Sequence, residues 1–221
     1  MRLARSPLAS NVPLLLLALL ALLVLAAGCL SAPGARLYDG FDGYHRPVAT
    51  RSDAAQTWFD QGLALVYGFN HAEAVRSFRE AARLDPECVM AWWGIAYANG
   101  ADINDREMRP KEAREAWDAS REALRLVEAG VRVHPVEAAL ARAEDRGHLD
   151  RTYANAMLDV WRAFPEDPDV GALYAESLMN LQPWDLWTAA GEPKGRVLEI
   201  VATLEEVLRL QPDHPGDCHP Y

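Results

Sequence analysis

The last residues of the chain, Asp213-His214-Pro215-Gly216-Asp217-Cys218-His219, gather the side chains best suited to hold a transition metal. His214, Cys218 and His219 offer two imidazole nitrogens and a thiolate, donors that zinc and copper accept, and a turn through Pro215 and Gly216 would let them converge. His71 is the one distant residue that could complete such a set. A structural metal site needs four held ligands, however, and the same prolines and glycine also spell an ordinary turn between helices. The turn is the expected reading and no cofactor is expected; a metal-binding or metal-dependent protein using this histidine motif is the alternative. Asn70-His71-Ala72-Glu73 stands at a helix start, where Asn70 can cap and Glu73 can complement the positive end of the helix. Asp102, Asn104, Asp105 and Glu107 form an acidic stretch whose spacing departs from calcium loops, so a solvated loop is expected. Two other thiols, Cys88 and Cys218, could pair, but a buried Cys88 thiol is expected. Paired acid and base carboxylates, a nucleophile with its base and glycine-rich phosphate loops do not appear, so an enzyme is not expected.

The elements that would position these residues are helical. Ser52 can cap a helix over 53–67 with Trp58, Phe59, Leu63 and Val66 on one face, and a second apolar stripe follows through Ala74, Val75, Phe78, Ala81 and Ala82 up to Asp85-Pro86. Further helices are predicted over 88–99, from Pro110 through Val127, over 136–144 and over about 149–164. Asp167-Pro168 repeats the earlier stop, and a helix with Val170, Leu173, Tyr174, Ser177 and Leu178 precedes a long loop, 182–195. A closing helix over about 197–210 ends at Pro212. Sustained alternation with β-branched residues is absent, so strands are not expected.

Trp58, Gly62, Ala74, Phe78, Ala81 and Pro86 stand at the spacings of the tetratricopeptide repeat, and the chain resembles that family. Small residues at Gly62 and Ala74 let paired helices approach, Phe78 fills the space between them, and Trp92 follows Trp58 at the repeat period. The segments Arg46-Pro47-Val48, Phe59-Asp60-Gln61-Gly62-Leu63, Gly68-Phe69-Asn70-His71, Trp92-Trp93-Gly94-Ile95-Ala96, Pro183-Trp184-Asp185 and His214-Pro215-Gly216 resemble a group of bacterial envelope proteins of this class. The resemblance implies an all-α helical-hairpin solenoid of about four helix pairs, whose first helices line a concave groove. Tyr67, Asn70, Trp93, Asn99 and Asn180 lie late on first helices or at their turns and are the expected groove residues. Trp184 and Trp187 lie in the long loop after Pro183, where they either staple it to the stack or offer an anchor to a partner.

Ahead of the helices, Arg2 and Arg5 precede an unbroken apolar run of 14 residues from Leu14 to Ala27, too short to span a bilayer and of the form of a secretory leader. Leu25-Ala26-Ala27-Gly28-Cys29 resembles the bacterial lipoprotein box, which implies diacylglycerol on the Cys29 thiol after removal of 1–28. Residues 29–51, with Pro33, Gly34, Gly40, Gly43 and Pro47, are expected to form a flexible tether, and 52–221 the helical repeat domain. Loss of Arg2 and Arg5 would reduce the 22 basic side chains to 20 against 32 acidic ones, a balance that excludes nucleic acid as the natural partner. The expectation is a lipid-anchored scaffold of the cell envelope that holds a protein or peptide in its groove; if the cell is Gram-negative, the expected place is the outer membrane or the periplasmic face.

Overall fold

Ser52 is where the chain turns helical: its backbone is extended and its hydroxyl oxygen accepts the amide of Ala55 at 3.2 Å. A computed structural model of the protein describes residues 34–41, 43–104, 107–144 and 150–217; the leader, Cys29, Asp105, His148, Cys218 and His219 lie outside them. The described residues from Ala35 onward form one compact unit. Among the described residues eight α-helices follow Ser52: α1 (Asp53–Tyr67), α2 (His71–Leu84), α3 (Val89–Ala98), α4 (Pro110–Glu128), α5 (Pro135–Glu144), α6 (Asp150–Ala163), α7 (Pro168–Met179) and α8 (Val197–Leu210). Each odd-numbered helix packs on the even one that follows, so the protein is an all-α stack of four helical hairpins. Among the described residues there is no strand, only an isolated antiparallel bridge between Trp187 and Pro193. No described helix is long and apolar enough to cross a membrane.

The hairpins nest because bulky rings meet glycines. The Phe78 ring, fully buried on α2, lies against Gly62 of its own pair and Gly94 of the next; a methyl on either would come within 2.6 Å of a ring carbon. Gly171 of α7 repeats the device, with Val207 of α8 and Trp161 of α6 where its Cβ would stand. Close packing of this kind removes apolar surface from water without voids, at about 25 cal/mol per Å². Trp93 is buried and stacks on Tyr97 with centroids 5.1 Å apart, while Trp92 is only partly buried and donates its indole N–H to the Pro86 carbonyl at 3.0 Å. Cys88 is a buried free thiol, pushed up to about 12 by burial.

Residues 44–51 are not a tether. They run extended across the stack as a strap, and side chains of the helices take its backbone amides. The amide of Arg46 donates to Asp60 Oδ1 at 3.1 Å, that of Val48 to Gln56 Oε1 at 2.9 Å, that of Ala49 to Glu137 Oε1 at 2.7 Å and that of Arg51 to Asp85 Oδ2 at 2.9 Å. The Arg46 guanidinium is buried between Asp167 (2.7 Å) and Asp169 (2.6 Å) on the N-terminal side of α7. The free-tether expectation fails because a segment without helical period can still be held when buried carboxylates satisfy its donors.

Candidate functional site

Asp169 is the hub of the inner face. Its Oδ2 takes the Arg46 guanidinium; its Oδ1 faces the hydroxyls of Tyr44 and Tyr67, the latter at 2.7 Å, and His214 Nε2 at 3.1 Å. His214 Nδ1 accepts the Gly216 amide at 3.1 Å, which puts the ring proton on Nε2 and makes that nitrogen the donor to Asp169. Burial would raise the Asp169 carboxyl, but His214 and Arg46 outweigh it and hold the group well below the carboxylate range. His214 is fully buried with both ring nitrogens engaged, so it closes the inner face and has no lone pair to give a metal. Among the described residues no group of three or more His, Cys, Asp or Glu is arranged to hold one.

The expected open groove is therefore narrowed from within. Tyr67 is buried with its hydroxyl on Asp169, Trp93 is buried under the stack, and Asn99 is buried with its Nδ2 on the Ile95 carbonyl at 2.9 Å. Tyr67 is turned inward because α7 directs Asp169 toward α1. Asn70 is exposed, and its side chain makes no cap: at ψ 60° the residue is not extended, so the oxygen does not reach the first amides of α2. Asp102 is not in a solvated loop; its side chain is 11% exposed and lies 3.2 Å from His71 Nε2.

One opening lies where α1 and α7 end, beside the loop after α3. A chamber of about 320 Å³ is walled by Phe69, Ile103, Met179, Trp184, Leu186 and Leu204, with Tyr67 and Glu176 also on its surface. Phe69 (φ 55°) and Trp184 (φ 61°) are the non-glycine residues with left-handed backbone among the described ones, and both border this chamber. Such a backbone costs about 1–3 kcal/mol and persists only where surrounding structure enforces it. Trp184 donates its indole N–H to the Ile103 carbonyl at 3.1 Å, which staples the 180–196 loop to the loop after α3, yet it stays 78% exposed. Trp187 is 48% exposed on the same loop, beside a turn closed by the Thr188 amide on the Glu192 carbonyl at 2.8 Å. Of the two roles weighed for the loop tryptophans, Trp184 takes that of the staple, with its ring left exposed.

Neither a protein-family model nor a curated protein matches the chain.

Glu176 lines a second, smaller cavity as well, of about 30 Å³, together with His71, Asp102, Glu144, Tyr153 and Asn180. The Tyr97 hydroxyl donates to Glu176 Oε2. Burial pushes the Glu144 carboxyl up to about 8, reinforced by the charge on Glu176. Burial likewise brings Glu176 to about 7; the bond from Tyr97 opposes the rise and Asp102 adds to it. The Tyr153 hydroxyl and Asn180 Oδ1 are buried and have no hydrogen-bond partner among the described residues. Of this set only His71 and Asn180 are among the candidates read from sequence. Glu144 and Glu176 carried a signal in their spacing: Glu137, Leu140, Ala141 and Glu144, like Asp169, Ala172, Leu173 and Glu176, place an acid at each end of an otherwise apolar helical stripe.

Proposed function

We propose that this chain is a non-catalytic binding module of the bacterial envelope, a tetratricopeptide-type scaffold tethered by lipid on Cys29, and that it seizes a projecting side chain of a partner protein or peptide in the chamber beside Trp184. The observation that carries the reading is the coincidence of two enforced left-handed residues, Phe69 and Trp184, on the rim of one apolar chamber. Backbone strain held at a concave apolar site is the mark of a preorganised binding surface, and a large exposed indole at its edge is the residue type that dominates binding energy. The segment around Cys29 supports the anchor, since acyl chains contribute about 0.8 kcal/mol per buried methylene and two or more hold a protein at a bilayer.

The test is a photo-crosslinking amino acid placed at position 187, outside the chamber wall, in the full chain in the cells that make it. A discrete adduct that disappears when Phe69 and Trp184 are both changed to Ala, with the helical circular dichroism unchanged, agrees with the reading. Absence of any discrete adduct, or one indifferent to both substitutions, refutes it. Mass spectrometry of the same material reads the anchor: the mature N-terminus should be an acylated Cys29, and Cys29→Ser should release the protein from membranes.

A further inference from the structure

We infer that the chamber beside Trp184 receives an aromatic ring that carries one hydrogen-bond donor, the ring chemistry of an indole or a phenol, with the donor aimed at Glu176 Oε1. The inference deepens the proposed binding role of the chamber and rests on it, but depends neither on the envelope location nor on a protein being the ligand.

Two observations on different walls lead to it. Glu176 lines the chamber, its Oε2 takes the Tyr97 hydroxyl, and its Oε1 accepts no hydrogen bond from a described residue. A carboxylate has lone pairs for about four donors, so this wall can still accept an N–H or O–H that enters along the chamber. Hydrogen-bonding capacity is what it offers, and one neutral donor meets it however the carboxylates behind are neutralised. The second observation is Trp184. Its indole N–H is committed to the Ile103 carbonyl, so the exposed ring has only apolar surface to present to a ligand. Ile103, Met179, Leu186 and Leu204 continue that apolar surface. Apolar walls with a single convergent polar group, around a space of about 320 Å³, are the form of a site that takes one small apolar group in a fixed orientation. A ring is the group these walls favour, because aromatic pairs and sulfur–aromatic contacts add to the gain from burial. A plain hydrocarbon would fill the same space but would take water from Glu176 Oε1 and return no donor, and an unpaired polar atom is costly to bury. A ring bearing an N–H or O–H satisfies both walls at once.

A tryptophan or tyrosine side chain of a partner and a free aromatic molecule share this chemistry, and the probes separate them. Isothermal titration of the full chain uses indole, 1-methylindole, 1-hexanol and Nα-acetyl-tryptophan amide. It is run at pH 8, where Glu176, brought to about 7 by burial, is ionised and can only accept. Indole should bind about tenfold or more tighter than 1-methylindole, which keeps the ring and loses the donor. It should bind several-fold tighter than 1-hexanol, which keeps a donor and loses the ring. In Glu176→Met the preference for indole over 1-methylindole should vanish, whereas Glu176→Gln, whose amide oxygen still accepts, should retain part of it. Trp184→Ala should weaken both indoles alike. The comparison on the parent protein stands by itself should a variant fail to fold. Binding of the tryptophan amide beside indole assigns the site to a partner's side chain, and indole binding without it assigns the site to free aromatics; either agrees with the inference. If 1-methylindole binds as tightly as indole, the donor to Glu176 is overturned, and if 1-hexanol does, the ring is overturned; in both cases the chamber remains a binding site and the proposed function stands. A parent protein that binds neither indole nor the tryptophan amide overturns the inference, and the crosslink at position 187 then decides separately whether the chamber holds a partner.

Discussion

Phe78 stands between glycines of two helix pairs, and adding a methyl group to one of them tests whether that contact sets the spacing of the stack. In Gly62→Ala the new carbon would lie 2.6, 2.7 and 3.0 Å from three carbons of the Phe78 ring, against the 3.5–4.0 Å at which carbons attract. The ring cannot retreat, because Gly94 of the next pair leaves no room on the other side: a Cβ there would also be 2.6 Å away. Overpacking of this order costs about 1–3 kcal/mol, and the better helix propensity of alanine recovers about 1, so a net loss of up to about 2 kcal/mol is expected. Phe78→Ala alone should cost about 3–5 kcal/mol by leaving a cavity. With the ring gone, the same Gly62→Ala change should stabilise by about 1 kcal/mol, a coupling of about 1–3 kcal/mol between the two sites. Urea unfolding followed by far-ultraviolet circular dichroism measures all four proteins, with sucrose added to keep the weakest folded. Equal effects of Gly62→Ala with and without the Phe78 ring would refute the reasoning.

Arg46→Ala leaves Asp167 and Asp169 without their buried cation; a loss of about 3–5 kcal/mol in urea unfolding is expected, together with new proteolytic cleavage within the 44–51 strap. The folded-state pKa of Glu144 lies near 8 against an ordinary 4.5, so the folded state keeps a proton that the unfolded chain loses. Stability should therefore fall as pH rises from about 5 to 8, by a few kcal/mol at about 1.4 per pH unit. Glu144→Gln should flatten that decline, which unfolding curves at pH 5, 7 and 9 will read, and a parent protein as stable at pH 9 as at pH 5 contradicts the assignment. The Asp169 carboxyl, held below its ordinary range, acts in the opposite sense: its contribution is present above pH 4 and is lost in acid, and Asp169→Asn should remove that acid sensitivity. Cys88, with its thiol raised to about 12, should react with iodoacetamide only at the rate at which the protein opens, so labelling that outpaces hydrogen exchange of the core would count against its burial.

Local information carried the helices. Apolar residues three and four apart, Ser52 before the first stripe, and Asp85-Pro86 and Asp167-Pro168 at the joints are properties of neighbours along the chain, and they determined an all-α stack of four hairpins with the smallness of Gly62 and Ala74 already meaningful. The partnerships that shape the site join residues far apart in sequence, and nothing local announces them. Arg46 meets Asp169, Tyr97 meets Glu176, and Trp184 meets Ile103 only after four hairpins have stacked. So the strap looked like a tether and His214 like part of an ordinary turn, because periodicity reports which face of a helix is apolar and is silent about what a buried polar group will find opposite it. Tertiary structure alone decided that α7 turns Asp169 and Glu176 inward and that the left-handed turns at Phe69 and Trp184 share one chamber. The physical reason is that the free energy of a buried charge depends on its neighbours in space, whereas helix formation depends chiefly on its neighbours in the chain.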